Sequence, residues 1–225
     1  MNQAVKKTLI WLLALAILAS AICATLSFAD GDATPGISAE AQFARARSAL
    51  LYVRCYYASG SLKATGSGFL IAKNGLAATA AHVVDKAARV TVLTMAGEEL
   101  DCTVVSADLT TDVALLRLPK GSYPALTIAK SAPASGATLR AMGYPAKDTA
   151  IITEGLAAAA NGTVSDKERM LVTCDIVNGM SGGPVFDRYG QVVGLCSGSV
   201  RTMSGIHLAA RWEDLNTAVQ AASKA

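Results

Sequence analysis

The chain has 225 residues, enough for one substantial domain or two small fused ones, and it is 52% hydrophobic and 16% charged. Its formal net charge is +3, and without residues 1–29 it would keep 18 basic and 17 acidic residues. A near-neutral domain lacks the basic surface that attracts nucleic acids or anionic lipids, so we expect no nucleic-acid partner. With two histidines and no C-x-x-C spacing, we expect no metal site and no cofactor.

The N-terminal 29 residues have the pattern of a secretory signal. Lys6 and Lys7 precede an apolar run over residues 9–22, and residues 27–29 place small side chains at positions −3 and −1 of a cleavage site. We therefore predict a signal peptide over residues 1–29 and a secreted or extracytoplasmic protein.

Two other interpretations of this segment stay open. Residues 8–29 are long enough to cross a bilayer as an uncleaved anchor, and the preceding lysines would leave the rest of the chain outside. Contact with a membrane is expected only through such an anchor. Cys23 would be the site of lipid attachment in a lipoprotein, but Ile22 before it is not the small residue that this processing requires. Cleavage ranks first, the anchor second and lipidation third.

Residues 30–49 read as a leader followed by a short helix that Ser38 caps. From residue 50 the sequence changes to short β-type runs separated by turns, of which Asn74-Gly75 is a strong hairpin signal. Six runs precede residue 119: Leu51–Tyr57, Gly68–Ala72, Leu76–Ala81, Val90–Thr94, Cys102–Val105 and Val113–Leu118. Short strands with tight turns predict a small closed antiparallel barrel.

A connector with three prolines, residues 119–134, separates this set from a second one. The alanines of residues 156–160 could be helical, but Asn161-Gly162 would end such a helix quickly. Residues 212–222 have the apolar spacing of an amphipathic helix. The second six runs are Thr138–Met142, Ile151–Ala157, Gly162–Ser165, Met170–Asp175, Val192–Cys196 and Ile206–Ala210. We predict an all-β fold: two antiparallel six-stranded β-barrels, about 50–118 and 136–211, with a C-terminal helix.

The most informative stretch is Asn178-Gly179-Met180-Ser181-Gly182-Gly183-Pro184. A serine among three glycines and a proline favours a tight, ordered turn over a helix or strand. Glycines also let consecutive backbone N–H groups point into one space, where an oxyanion can be held. Taken alone, the heptapeptide leaves a glycine-rich hairpin open as the minor alternative.

A candidate base and a candidate carboxylate precede this serine. His82 follows an apolar run, and Asp112 comes directly before the buried run Val113–Leu118. Acyl transfer by serine needs a base within hydrogen-bond reach and a buried carboxylate to orient that base. Each residue alone would more often be structural, and it is the order His, Asp, Ser in three such contexts that points to chemistry.

These motifs together resemble the trypsin/chymotrypsin-fold serine proteases, most closely the bacterial HtrA/Deg-like protease domain. The resemblance spans residues 50–219 and is carried by Gly66-Ser67-Gly68-Phe69-Leu70-Ile71, Thr79-Ala80-Ala81-His82-Val83-Val84, Thr111-Asp112-Val113-Ala114-Leu115-Leu116-Arg117-Leu118 and Gly179-Met180-Ser181-Gly182-Gly183-Pro184. It implies a chymotrypsin-like double barrel and polypeptide substrates. No PDZ module is expected after Ala225.

Carried over residue by residue, the resemblance makes His82 the general base, Asp112 its orienter and Ser181 the nucleophile. The N–H groups of Gly179 and Ser181 would form the oxyanion hole. Met180 stands where an asparagine is often found, and we expect no loss from it because the oxyanion donors are backbone groups.

For the substrate pocket, the resemblance indicates Asp175, Cys196 and His207. Asp175 could select Lys or Arg side chains, although a structural role for this acid is favoured. Cys196 stands where glutamyl endopeptidases carry a specificity histidine, which argues against that specificity. His207 could line the pocket or simply pack.

The same fold would make the strands carrying Cys174 and Cys196 antiparallel neighbours. We therefore predict a disulfide between these two cysteines. Cys55 and Cys102 lie on strands that are not expected to pair, and four free thiols are the alternative. The leading function is an exported serine endopeptidase. A catalytically silent protease-fold protein that binds polypeptides is the alternative, and a chaperone-like role in an oligomer comes third.

Overall fold

A computed structural model describes residues 35–200 and 203–224, together with Asn2, Gln3, Trp11, Ala14 and Leu15. The chain divides into two units, Met1–Pro35 and Gly36–Ala225. In the first unit Trp11, Ala14 and Leu15 are helical, and all three are exposed. The predicted signal peptide lies almost entirely outside the described residues. Among the described residues, no helix combines the length and the apolar character needed to cross a membrane.

The second unit begins with the predicted short helix, α1, over Ala39–Ala46. Ser38 caps it as expected, since its Oγ accepts a hydrogen bond from the Ala41 N–H at 3.2 Å. A 3₁₀ turn over Arg47–Ala49 leads into the first strand. The helix is held by Arg140, whose Nη1 donates to Gln42 Oε1 and to Ile37 O, both at 2.9 Å.

The first barrel closes in the order β1-β2-β3-β6-β5-β4, with every neighbouring pair antiparallel. Its strands are β1 (Leu50–Tyr56), β2 (Leu62–Leu70), β3 (Leu76–Ala80), β4 (Arg89–Thr94), β5 (Glu99–Asp108) and β6 (Val113–Arg117). A short helix, α2, covers Ala81–Val84 directly after β3. Because β4 separates β1 from β5, Cys55 and Cys102 lie on strands that do not pair, as expected.

The second barrel closes in the order β10-β11-β12-β9-β8-β7, again antiparallel throughout. Its strands are β7 (Thr138–Ala146), β8 (Thr149–Val164), β9 (Lys167–Val172), β10 (Pro184–Asp187), β11 (Val192–Ser199) and β12 (His207–Ala210). The terminal helix α3 covers Trp212–Lys224. The double barrel with a C-terminal helix confirms the predicted fold class.

Two details of the second barrel differ from the prediction. The alanines of residues 156–160 belong to β8, which runs without interruption past Asn161-Gly162, and the hairpin turns at Ser165-Asp166 instead. Pairing with β9, of Ala157 with Val172 and of Ala159 with Leu171, outweighs the helix preference of alanine there, and two register shifts absorb the irregularity. The unpredicted strand is β10, which is four residues long and begins with Pro184, a position where proline removes no needed donor.

The two barrels share a buried seam. One apolar cluster contains the interior of the first barrel together with side chains of β7, β10 and β11, among them Met142, Phe186 and Leu195. Leu215 of α3 is buried in the same cluster. A second, smaller cluster fills the other barrel around Leu139 and Met170. The residues that follow β3, precede β6 and precede β10 meet along this seam.

Candidate active site

His82 and Asp112 form the best-defined polar contact at the seam. The His82 Nδ1 atom lies 2.9 Å from both Asp112 oxygens, and the His82 backbone N–H donates to Asp112 Oδ1 at 3.0 Å. An ionised carboxylate can only accept, so Nδ1 carries the ring proton and Nε2 is left as an acceptor. The His82 side chain is 45% exposed whereas that of Asp112 is 7% exposed. The pair therefore has a buried acid and an accessible base.

The backbone around Asp112 is arranged for this contact. Its φ of +63° lies in the left-handed region, which is uncommon for a residue other than glycine. The Asp112 carbonyl accepts a hydrogen bond from the Ala81 N–H at 3.1 Å, which joins the start of α2 to the start of β6. Burial raises the pKa of the Asp112 carboxyl, but the hydrogen bonds and charge of His82 and the hydroxyl of Ser197 outweigh it. The pKa of Asp112 consequently lies below its ordinary value, and the acid is ionised.

Ser197 is a contributor that sequence reasoning missed. Its hydroxyl donates a short hydrogen bond to Asp112 Oδ2 from strand β11 of the second barrel. The Asp112 carboxylate is therefore bonded by His82 of the first barrel and by Ser197 of the second. No sequence signal indicated this role, because Ser197 lies at a register shift of β11 that only its pairing with β12 shows.

Ser181 lies in the predicted glycine turn. Gly179 and Gly182 have φ values of +91° and +87°, a region open to glycine and strained for other residues. A Cβ on Gly182 would lie 2.3 Å from Ser67 O and 2.7 Å from Ala80 N, so the turn packs directly on the strands that lead to His82. The turn is fixed on its other side because Gly182 N–H donates to Cys196 O at 2.7 Å.

The buried Ser67 anchors this turn. Its hydroxyl donates to Gly179 O at 2.8 Å and accepts from the Tyr144 N–H at 2.7 Å. Its backbone N–H donates to Ser181 O at 2.8 Å. Ser67 belongs to a motif that carries the family resemblance, but nothing in the sequence indicated that it would hold the serine turn.

The N–H groups of Gly179 and Ser181 take part in no hydrogen bond with another described residue, whereas that of Met180 between them donates to Val177 O at 3.0 Å. The turn therefore has two backbone donors without a partner among the described residues, that of Gly179 and that of Ser181 itself. In the described part of the chain, the His82 ring bonds only to Asp112, and Ser181 Oγ has no hydrogen-bond partner. In enzymes without substrate such contacts are often long and tighten on binding.

The three residues predicted for the substrate pocket are not gathered in one place. Asp175 is 79% exposed, and its carboxylate lies 3.6 Å from Nε2 of His207, a side chain that is 16% exposed. His207 Nδ1 also accepts from the Ile176 N–H at 3.4 Å. Cys196 has no exposed surface, and its assignment to the pocket stays a prediction. Cys196 lies in the interior of the second barrel, whereas Ser197 lies at a register shift between β11 and β12 and donates to Asp112.

The predicted disulfide between Cys174 and Cys196 is also not formed. Both are free thiols in the interior of the second barrel. The premise of neighbouring strands was wrong, because β12 lies between β11 and β9 and takes Ala209 as the partner of Cys196. The Cys174 thiol donates instead to Leu139 O of β7, at 3.4 Å.

Across residues 35–200 and 203–224, no three His, Cys, Asp or Glu side chains converge in the way that a bound metal ion would require.

Curated relatives match about two thirds of this chain. The chain is 36% identical over 147 residues to a "Probable periplasmic serine endoprotease DegP-like" of Halomonas elongata, and 32% identical over 147 residues to one of Hahella chejuensis. It is 33% identical over 153 residues to the "Serine protease HTRA2, mitochondrial" of Bos taurus. Each match covers 64% of this chain and 31%, 31% and 33% of these relatives, so the chain spans about a third of their length.

These relatives agree with the HtrA/Deg-like resemblance of the motifs. A protein-family model described as "Trypsin-like peptidase domain" matches residues 66–195, which hold His82, Asp112 and Ser181 and make up more than half of the chain. The protein belongs to the family of trypsin-like peptidase domains.

Proposed function

We propose that this protein is an exported serine endopeptidase that cleaves peptide bonds through an acyl-enzyme intermediate. The observation that carries the proposal is the buried, ionised Asp112 that holds His82 beside the glycine turn of Ser181. In this proposal Ser181 is the nucleophile, His82 the general base and Asp112 its orienter. The N–H groups of Gly179 and Ser181 form the oxyanion hole.

In the acylation step, His82 Nε2 takes the proton of Ser181 Oγ as this oxygen attacks the carbonyl carbon of the scissile bond. The carbonyl electrons move to the oxygen, and the resulting oxyanion accepts hydrogen bonds from the two spare N–H groups. The Asp112 carboxylate stabilises the imidazolium through Nδ1–H. His82 then gives its proton to the leaving amine as the peptide bond breaks. In the second step water attacks the acyl-enzyme in the same way, and Ser181 regains its proton.

Export and a polypeptide substrate are parts of the proposal with separate support. A charged segment followed by an apolar run and small residues begins the chain, and two relatives are named as periplasmic endoproteases. The peptidase family supports a polypeptide as the substrate.

A fluorophosphonate probe tests the nucleophile directly, because it reacts with an activated serine and forms a stable adduct. We expect the parent protein to be labelled on Ser181 and to cleave members of a peptide library. Ser181→Ala should prevent labelling and lower turnover on the order of a million-fold while the protein keeps its melting temperature. A folded parent that binds peptides but is neither labelled nor active would instead indicate a catalytically silent binding protein.

A further inference from the structure

Arg169 is a buried cation that the mechanism above does not use. It lies on β9 and is 5% exposed. Its Nη1 atom donates to Thr110 O at 2.8 Å and to Glu168 O at 2.8 Å. Thr110 belongs to the first barrel and Arg169 to the second, so this contact crosses the seam.

The guanidinium has no carboxylate partner within ion-pair distance among the described residues. A buried charge that meets only carbonyl groups is expensive to desolvate, and a neutral side chain would fill the same space at a lower cost. The neighbouring acid, Glu168, pairs with Arg211 at 2.6 Å instead. The charged group of Arg169 therefore donates to the Thr110 carbonyl and forms no stabilising ion pair with a described residue.

The loop that Arg169 holds leads directly into Asp112. Asp108 folds this loop on itself, because its carboxylate accepts from the Thr110 N–H at 2.8 Å and from Thr111 Oγ1 at 3.1 Å. Lys167, two residues before Arg169, donates to Leu109 O at 3.0 Å from an exposed position. The loop ends at Asp112 in its left-handed conformation.

A residue in the left-handed region keeps that conformation only where its surroundings enforce it. The bonds from Asp108 are local to the loop and would move with it. The bond from Arg169 is the buried one that ties the loop to a second, rigid element, the β8–β9 hairpin. Without it, the carbonyl two residues before Asp112 has no fixed partner in the other barrel.

We propose that Arg169 is a positioning residue that holds the Asp112 carboxylate against His82 from across the seam. The inference rests on the proposed function, in which Asp112 orients the catalytic base. Its effect passes through Asp112 and needs no contact with the substrate. Arg169→Gln should therefore lower kcat about 10- to 100-fold with little change in KM, which is the loss expected when a catalytic group is displaced by about 1 Å.

The test compares Arg169→Gln with Arg140→Gln, a matched control. Arg140 is also a buried arginine of the second barrel, 9% exposed, and also donates to a backbone carbonyl, but that carbonyl belongs to Ile37. Both variants remove a buried guanidinium together with its hydrogen bond to a backbone carbonyl. Only Arg169→Gln should lower kcat if the role is positional.

A double-mutant cycle with Asp112→Asn separates positioning from general damage to the site. In the Asp112→Asn background the carboxylate is already lost, so Arg169→Gln should lower kcat less than about threefold, against 10- to 100-fold in the parent. An equal loss in both backgrounds would overturn the proposal. Arg169→Lys keeps the charge with one point of contact and should recover part of kcat, and it serves in place of Arg169→Gln if that variant does not fold.

A spectroscopic readout is independent of turnover. The chain has two histidines, so the low-field proton resonance of the His82 Nδ1–H group can be assigned with His207→Gln as a reference. We expect this resonance in the parent and in Arg140→Gln, and its loss or an upfield shift in Arg169→Gln. A parent without activity that still shows this difference would refute the proposed peptidase function and leave the role of Arg169 intact. An unchanged resonance and unchanged kcat in folded Arg169→Gln would refute the role of Arg169.

Discussion

The removal of one buried hydroxyl, by Ser67→Ala, should both destabilise the protein and disturb the oxyanion donors. Alanine keeps the Cβ of Ser67, so the change deletes two hydrogen bonds without creating a clash: the one to Gly179 O at 2.8 Å and the one from Tyr144 N at 2.7 Å. The backbone bond from Ser67 to Ser181 O at 2.8 Å remains. The variant therefore measures the contribution of the hydroxyl alone, without that of the backbone of β2.

The loss of stability can be worked out from the two partners. Tyr144 is 7% exposed, so its N–H is left buried without an acceptor, which costs about 1–3 kcal/mol. Gly179 is only half-buried, so water can replace part of the bond to its carbonyl, and its share is about 0.5–1.5 kcal/mol. We expect the free energy of unfolding to fall by about 2–4 kcal/mol, which a domain of ordinary stability survives.

Urea unfolding at neutral pH measures this difference. Ser223→Ala is the matched control, because Ser223 also donates to a backbone carbonyl, that of Val219, but from an exposed position. It should change the free energy of unfolding by less than about 0.5 kcal/mol. A Ser67→Ala variant as stable as this control would mean that the hydroxyl does not anchor the turn.

The same variant should also be slower in peptide hydrolysis. Gly179 provides one proposed oxyanion donor, and without the bond to its carbonyl the peptide can rotate away from the substrate. Loss of a donor costs about 100- to 1,000-fold in kcat, and a loosened one should cost less, about 10- to 100-fold. Unchanged turnover in a destabilised Ser67→Ala protein would refute the link between this hydroxyl and the oxyanion hole.

The remaining predictions concern pH, thiols and the serine turn. The pKa of Asp112 is lower in the folded protein than in the unfolded chain, where it is about 3.9. The ionised carboxylate therefore contributes its full stabilisation above the unfolded pKa, and this stabilisation is lost as the pH falls through the folded pKa. Urea midpoints between about pH 2 and 5 should therefore depend less on pH in Asp112→Asn than in the parent. Burial raises the pKa of Cys174 to about 11, so this thiol should resist alkylation in the native protein. It should react after denaturation without reductant, and a thiol that stays unreactive there would indicate a disulfide. Gly182→Ala should prevent folding because its Cβ would lie 2.3 Å from a backbone oxygen, whereas Gly60→Ala, with a similar φ and open space, should cost only about 1–2 kcal/mol by thermal unfolding.

Local sequence patterns predicted the features that depend on a few adjacent residues. Ser38 caps α1, and Gly75 turns β2 into β3 with a φ of +86°, because such preferences are set by one residue's side chain or its absence. The glycines beside Ser181 were predictable for the same reason. Strand-length apolar runs separated by turns predicted the six strands of the first barrel, whereas in the second barrel two predicted runs form the single strand β8 and β10 was not predicted.

Closure of the barrels decided what local patterns could not. The alanines of β8 became a strand because β9 pairs with them, and β12 lies between β11 and β9, the strands that were expected to be neighbours. Ser67, Ser197 and Arg169 obtained their roles from partners 112, 85 and 59 residues away along the chain. Hydrogen bonds over such separations depend on which strands become neighbours when both barrels close, and the secondary-structure preferences of single residues do not determine that pairing.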